Sequence, residues 1–248
     1  MEPLYIYSAI IGLIILGIVL TLVNTGAFAS KTSKKTTFLL VGPSGSGKTS
    51  LFMKWATGKL SDTVTSTTTN TFEELKVPFD GGLDETVETV RIVDIPGHSK
   101  LRSHVQKALE DYDNAIRGIV FVIDSAAGAQ AISQAASFLY WLLQKVEKKA
   151  GGIAILVAAN KGDVFNALPV TKLRDTLEKE IDALRSARSK GVGDVDLNED
   201  DEDGSWIGLE GQFHFKDLES EFAVMDGSVT ASRTSKWDNW VQQHALNE

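Results

Sequence analysis

The sequence predicts an α/β fold: a mostly parallel sheet with one antiparallel edge hairpin, helices on both faces, and a single N-terminal transmembrane helix ahead of it. Three observations carry that reading. Apolar runs of strand length alternate with longer stretches whose apolar residues recur at helical spacing, the pattern of a parallel sheet covered on both sides. Three polar motifs each follow directly on a predicted strand, so they gather at one edge of the sheet. The stretch Leu4 to Val23 is twenty residues without a charge.

That first stretch is long enough to cross a bilayer, since about 1.5 Å per residue gives about 30 Å. Tyr5 and Tyr7 fall where an interfacial aromatic belt sits. A cleaved signal peptide is the competing reading, with Ala27-Phe28-Ala29 as a small-residue cleavage site. Against it, the run is too long for a typical signal, and Glu2 stands where positive charge belongs. Lys31, Lys34 and Lys35 follow the span, so the positive-inside rule leaves residues 1–3 on the far side and the rest in the cytosol. Polar residues 24–36 read as a linker, and residues 37–248 as the domain.

Within the domain, Thr37–Val41 is a short buried strand and Lys48–Ala56 the helix after it. Thr71–Phe79 and Thr86–Asp94 read as strands joined through the turn signal Asp80-Gly81-Gly82, which makes the hairpin. Ser99–Asp111 has Leu101, Val105 and Ala108 on one helical face. Gly118–Asp124 and Ile153–Ala159 are fully buried strands. Between them lies a helix, Ala129–Lys149, striped by Ile132, Ala136, Leu139, Leu143 and Val146. Val170, Leu173, Leu177, Ile181 and Leu184 stripe the next helix. Residues 190–212 form an acidic loop insertion, Glu221–Met225 the last strand, and a final helix carries Trp237, Trp240, Val241 and His244 on one side, a face read as core.

The net charge is −8, with seven acids between Asp194 and Asp203. That balance argues against direct nucleic-acid binding, which needs concentrated positive charge. There is no cysteine, so disulfides, thiolate metal sites and thiol catalysis are excluded.

The motifs carry the chemistry. Gly42-Pro43-Ser44-Gly45-Ser46-Gly47-Lys48-Thr49 fits G-x-x-x-x-G-K-[ST] between a strand and a helix. Its glycines let backbone N–H groups of Gly42, Ser44, Gly45, Ser46 and Gly47 turn toward phosphate oxygens above a helix N-terminus. Lys48 reaches the outer phosphates, Thr49 offers a hydroxyl to Mg²⁺, and Ser50 completes the set. This motif does not separate ATP from GTP. Asp94-Ile95-Pro96-Gly97 ends a strand as D-x-x-G does, with Asp94 holding Mg²⁺ through a water and the Gly97 amide sensing the γ-phosphate. His98 stands where a side chain positions the attacking water; Gly97, His98 and Lys48 are thus the candidate catalytic residues. Asn160-Lys161-Gly162-Asp163 selects guanine. The Asp163 carboxylate accepts from the base N1–H and its exocyclic amine, which adenine cannot offer. Lys161 lays its stem on the base, and Asn160 ties this loop to the phosphate loop. From the threonine-rich stretch Ser61–Thr71, Thr65 is the chosen Mg²⁺ ligand, with Thr63 and Thr67 as rivals. Ser228, in Gly227-Ser228-Val229, belongs to a loop touching the guanine O6. Together these features predict the small-GTPase class of P-loop NTPase fold, with GTP or GDP and Mg²⁺ as ligands.

With these residues in view, the chain resembles the β subunits of signal recognition particle receptors, fungal members in particular, a family related to the Arf branch of small GTPases. The resemblance rests on the span with its cytosolic GTPase, the phosphate loop, Asp94-Ile95-Pro96-Gly97-His98 running into Ser99-Lys100-Leu101-Arg102, Asn160-Lys161-Gly162-Asp163, Phe213-His214-Phe215 and Gly227-Ser228-Val229. It departs from the usual S-A-K at the last of these. The resemblance implies a single-pass endoplasmic reticulum membrane protein with residues 1–3 lumenal. Its GTP form would hold the N-terminal domain of the receptor α subunit through Ser61–Thr71 and Ile95–Leu101. It also implies the ribosome or translocon as further contacts, and leaves open whether the chain hydrolyses GTP alone; with His98 to orient water and no obvious arginine in cis, the residues themselves predict slow intrinsic hydrolysis. An Arf-like trafficking GTPase is an alternative, disfavoured by Glu2 where myristoylation needs glycine. A non-hydrolysing GTP-dependent anchor is another, and an ATP-using kinase a distant third.

Overall fold

Alternation along the strands decides how the helices distribute. The computed structural model describes residues 36–60, 63, 66–76, 89–147, 152–189 and 211–246. The proposed membrane span, residues 24–35 of the linker, Thr65, the turn Asp80-Gly81-Gly82 and the acidic run Asp194–Asp203 lie outside them. Among the described residues no helix is long and apolar enough to cross a membrane.

The strands are β1 (Thr37–Val41), β2 (Asn70–Lys76), β3 (Thr89–Asp94), β4 (Ile116–Asp124), β5 (Ala154–Asn160) and β6 (Phe222–Asp226). They form one sheet in the order β2-β3-β1-β4-β5-β6. The edge strand β2 runs antiparallel to β3, as the hairpin signal predicts, and every other pairing is parallel. The central strands β1, β4 and β5 are almost continuously buried, because helices cover both of their faces.

The helices are α1 (Lys48–Thr57), α2 (Arg102–Asp111), α3 (Ala129–Val146), α4 (Val170–Ser189) and α5 (Ser235–Leu246). One face of the sheet presents Leu39, Val93, Ile119, Phe121, Ile123, Ile155 and Val157 to α2, α3 and α4. Residues one step along, Phe38, Leu40, Ile92, Val120, Val122 and Leu156, meet α1 and α5 on the other face. The period of two in the strands thus sorts the helices into two layers. The predicted helix stripes are the buried ones: Ile132, Ala136, Leu139, Leu143 and Val146 on α3, and Leu173, Leu177 and Ile181 on α4.

Trp237 and Trp240 are core, at 0% and 2% exposure. Truncating Trp237 to alanine would cost about 3–5 kcal/mol. On that same layer α1 and α5 are clasped by polar bonds. The Trp55 indole N–H donates to Asp238 at 2.7 Å, while Lys54 donates to the Thr234 hydroxyl at 3.0 Å. Thr234 in turn donates to Asp238 at 3.0 Å.

Register carries the fold to the site. Leu40 pairs with Asp94, Asp124 with Asn160, and Ala159 with Asp226. The carboxyl ends of neighbouring strands therefore stop in line, and the loops that follow them stand side by side along one edge.

Candidate functional site

A cavity of about 270 Å³ opens at that edge, lined by Ser44, Gly45, Gly47, Lys48, Thr49, Ser50, Thr63, Ser66, Ile95, Pro96, Gly97 and Lys161. Residues from the phosphate-loop motif, the D-x-x-G motif, the threonine-rich loop and the N-K-x-D motif all reach it.

Backbone geometry explains the glycines. Gly47 adopts φ 94, a left-handed conformation, and a β-carbon there would lie 2.3 Å from the Asn160 amide nitrogen. Both the dihedral and the close approach require glycine. Gly97 packs so tightly on the loop that a β-carbon would lie 2.5 Å from both the Gly42 carbonyl and the Lys48 ammonium. The D-x-x-G glycine thus rests directly against the phosphate loop and its lysine.

Lys48 is buried and donates to the Pro43 carbonyl at 2.8 Å. Burial pulls its pKa down to about 8, with the Asp94 carboxylate acting in the opposite direction. An ammonium desolvated this way is poised to accept a phosphate as partner.

Asp94 is fully buried at the end of β3. One carboxylate oxygen accepts from the Thr49 hydroxyl at 2.9 Å and the Asn70 amide at 3.3 Å. The other, Oδ1, is buried with no partner among the described residues. Burial pushes this carboxyl above its usual range, against the pull of Thr49, Asn70 and Lys48. A buried, half-satisfied carboxylate beside a threonine hydroxyl fits a water-linked divalent cation, whose charge would offset the desolvation. The Thr49 hydroxyl also meets the Ser66 hydroxyl at 3.0 Å, and Ser50 meets Thr63 at 2.8 Å. Thr63 and Ser66 of the threonine-rich stretch therefore lie against the start of α1. Thr65 falls outside the described residues, and Ser66 is the residue seen at this position.

Asn160, at the end of β5, holds three loops together. Its amide donates to the Ser46 carbonyl at 2.8 Å, and its oxygen accepts from the Val229 N–H at 3.0 Å. The predicted tie to the phosphate loop is present, and the second tie was not predicted. Lys161 leaves the strand at φ 62 and pairs with Asp124 at 2.6 Å. Asp163 is exposed beyond it. A bond from the Ser228 hydroxyl is the first cause that holds its carboxyl below the usual range, with Arg233 and Lys161 adding to it.

Several of the expected residues stand away from the cavity lining. Ser228 is 0% exposed, and its oxygen also accepts from the Ala231 N–H at 2.9 Å. It stands behind Asp163 and orients that carboxylate; it offers no surface to a base. Gly42 and Ser46 build the loop and do not line the cavity: Gly42 backs onto the Val122 carbonyl. His98 is exposed and does not line the cavity either. Its Nδ1 accepts from the Lys100 N–H at 3.2 Å and caps the 3-10 turn Ser99–Leu101. A ring whose Nδ1 accepts carries its neutral-form proton on Nε2, so that nitrogen can donate to a water but not take its proton.

The family model described as signal recognition particle receptor beta subunit matches residues 33–222. The chain belongs to the signal recognition particle receptor beta subunit family. The Saccharomyces cerevisiae signal recognition particle receptor subunit beta is 30% identical over 243 residues, which span 93% of this chain and 95% of that one. The human subunit beta is 32% identical over 220 residues, or 88% of this chain and 77% of its own. Among solved structures, the mammalian SRP receptor superposes with a TM-score of 0.68 at 27% identity, covering 84% of this chain and 99% of that one. A Chaetomium thermophilum SRb-GTP/SRX complex gives 0.67 at 27% identity, covering 84% and 98%. Membership in this beta-subunit family places the six-stranded sheet and its loop edge in a small-GTPase fold.

Proposed function

We propose that this chain is a membrane-anchored guanine-nucleotide switch, the β subunit of a signal recognition particle receptor. The carrying observation is Asn160, one buried side chain bonded to the phosphate loop on one side and the Gly227-Ser228-Val229 loop on the other. Such a tie suits a ligand with phosphates at one end and a base at the other. Ser44, Gly45, Gly47, Lys48, Thr49 and Ser50 would cradle the phosphates, on a loop that Gly42 and Ser46 shape. Asp163 would read the guanine edge, with Ser228 orienting it and Lys161 beneath the base plane. Thr49 and Ser66, with Asp94 through a water, would hold Mg²⁺. The ion would supply charge neutralisation at the outer phosphates. Thr65 remains the rival to Ser66.

In this reading the γ-phosphate orders Ser61–Thr71 and Ile95–Leu101, and the ordered loops hold the N-terminal domain of the receptor α subunit. Support comes from the family and from the Chaetomium complex, which pairs the GTP form with SRX. Leu4–Val23 would anchor the chain in the endoplasmic reticulum membrane with the domain cytosolic, and residues 1–3 lumenal. Ribosome or translocon contacts follow from the targeting role. Intrinsic hydrolysis would be slow: His98 is engaged as a cap, and among the described residues lining the cavity there is no arginine to neutralise transition-state charge.

The test uses the full chain in lipid nanodiscs loaded with GTP or GDP. The α-subunit N-terminal domain should be retained with GTP and lost with GDP; equal retention rejects the switch. Single-turnover hydrolysis with and without that domain separates a slow GTPase from a non-hydrolysing anchor, the reading that the capped His98 also favours.

A further inference from the structure

We propose that Asp124 is a positioning residue for the nucleotide base, acting through Lys161. The inference rests on the guanine-nucleotide reading of the site. Asp124 is the last residue of β4 and pairs in register with Asn160 on β5, so it stands next to the point where Lys161 leaves the sheet. Its carboxylate is fixed at both oxygens. Oδ1 accepts from the Ala126 N–H at 2.9 Å, and Oδ2 accepts from the Lys161 ammonium at 2.6 Å. Asn160 fixes the backbone before Lys161, and the left-handed φ of 62 sets the direction in which its side chain departs.

Lys161 lines the cavity, whereas Asp124 does not. The contact with a ligand therefore belongs to the lysine stem, and the carboxylate governs where that stem lies. A free lysine samples many rotamers, and freezing them opposes binding. Asp124 freezes them beforehand. It also neutralises the ammonium, so the stem offers an apolar surface to a flat ring. This contact reads the plane of the base and not its edge. It is indifferent to which hydrogen-bonding groups the base carries.

That indifference gives the test. In the full chain, Asp124→Asn keeps the acceptor for Ala126 and loses the ion pair. Dissociation constants are measured for GTP, GDP and inosine triphosphate. Asp124→Asn should weaken all three by the same factor, about tenfold. Lys161→Ala should do likewise, and the double variant should be no weaker than Lys161→Ala. Asp124→Ser, which also keeps an acceptor for Ala126, should match Asp124→Asn. The proposal is overturned by unchanged constants, by additive losses in the double variant, or by an altered order among the three nucleotides. It is also overturned if the variants lose urea stability while the folded fraction binds normally, which would leave Asp124 a turn residue only. Failure of the wild type to bind GTP would instead reject the guanine reading itself.

Discussion

Replacing Asn160 by alanine should destabilise the nucleotide-free protein by about 3 kcal/mol. The side chain makes two buried hydrogen bonds, to the Ser46 carbonyl at 2.8 Å and from the Val229 N–H at 3.0 Å. Truncation leaves one acceptor and one donor unsatisfied, each at a cost of about 1–3 kcal/mol. The lower half of the summed range applies because the vacated amide volume can admit a water that restores one bond. Against a typical domain stability of about 5–15 kcal/mol the loss is large. With a urea slope of about 2 kcal/mol per molar, the midpoint falls by about 1.5 M. Asn166→Ala is the control, because its bond to the Ala126 carbonyl, at 3.0 Å, is exposed. That change should stay within about 0.5 kcal/mol. Urea melts of the two variants, stripped of nucleotide, decide the matter. Equal midpoints would refute the claim that Asn160 braces the site.

The remaining predictions concern ligands. Ser66→Ala should cut the gain in GTP affinity on adding Mg²⁺ by about tenfold and leave affinity in chelator unchanged; an unaltered Mg²⁺ gain returns the role to Thr65. Burial pulls the Lys48 pKa down to about 8, and a bound phosphate would raise it, so binding would take up a proton above that pH. GTP affinity should be level below pH 8 and fall as pH rises past it, by up to about tenfold per unit. Calorimetry in buffers of different ionisation enthalpy at pH 8.5 would show the uptake, and a flat profile to pH 9.5 would count against it. Asp163→Asn should weaken GTP by about tenfold or more and improve xanthosine triphosphate binding, since the amide offers a donor to the xanthine C2 oxygen. An unchanged ranking in competition binding would dismiss Asp163 as the base reader.

Much of the fold was legible because periodicity survives in single segments. The unbroken apolar run Ile119, Val120, Phe121, Val122, Ile123 already implies a strand with helices on both sides. Boundaries were less so. β4 begins at Ile116, two residues before the apolar run, because the exposed Arg117 interrupts the pattern without interrupting the ladder. Ser99–Leu101 forms a 3-10 turn where a continuous helix was expected, since the His98 ring takes the Lys100 N–H. In the site, contiguous motifs were readable because their chemistry is local. Ser66, Asn70 and Asp124 were missed for the opposite reason. Asn70 and Asp124 contribute only through a neighbour brought in by the sheet, and Ser66 lies in the stretch Ser61–Thr71, which offers many hydroxyls with the same local chemistry.

The clasp between α1 and α5 has a consequence for how such a pocket empties. One helix starts at the phosphate loop and the other follows the Gly227-Ser228-Val229 loop, and Trp55, Lys54, Thr234 and Asp238 lock them together. These walls cannot part without breaking a half-buried polar knot. On the other side of the start of α1 the described residues are held more lightly, by single contacts between short hydroxyl side chains, Ser50 with Thr63 and Thr49 with Ser66, so a nucleotide held as proposed would meet less resistance there.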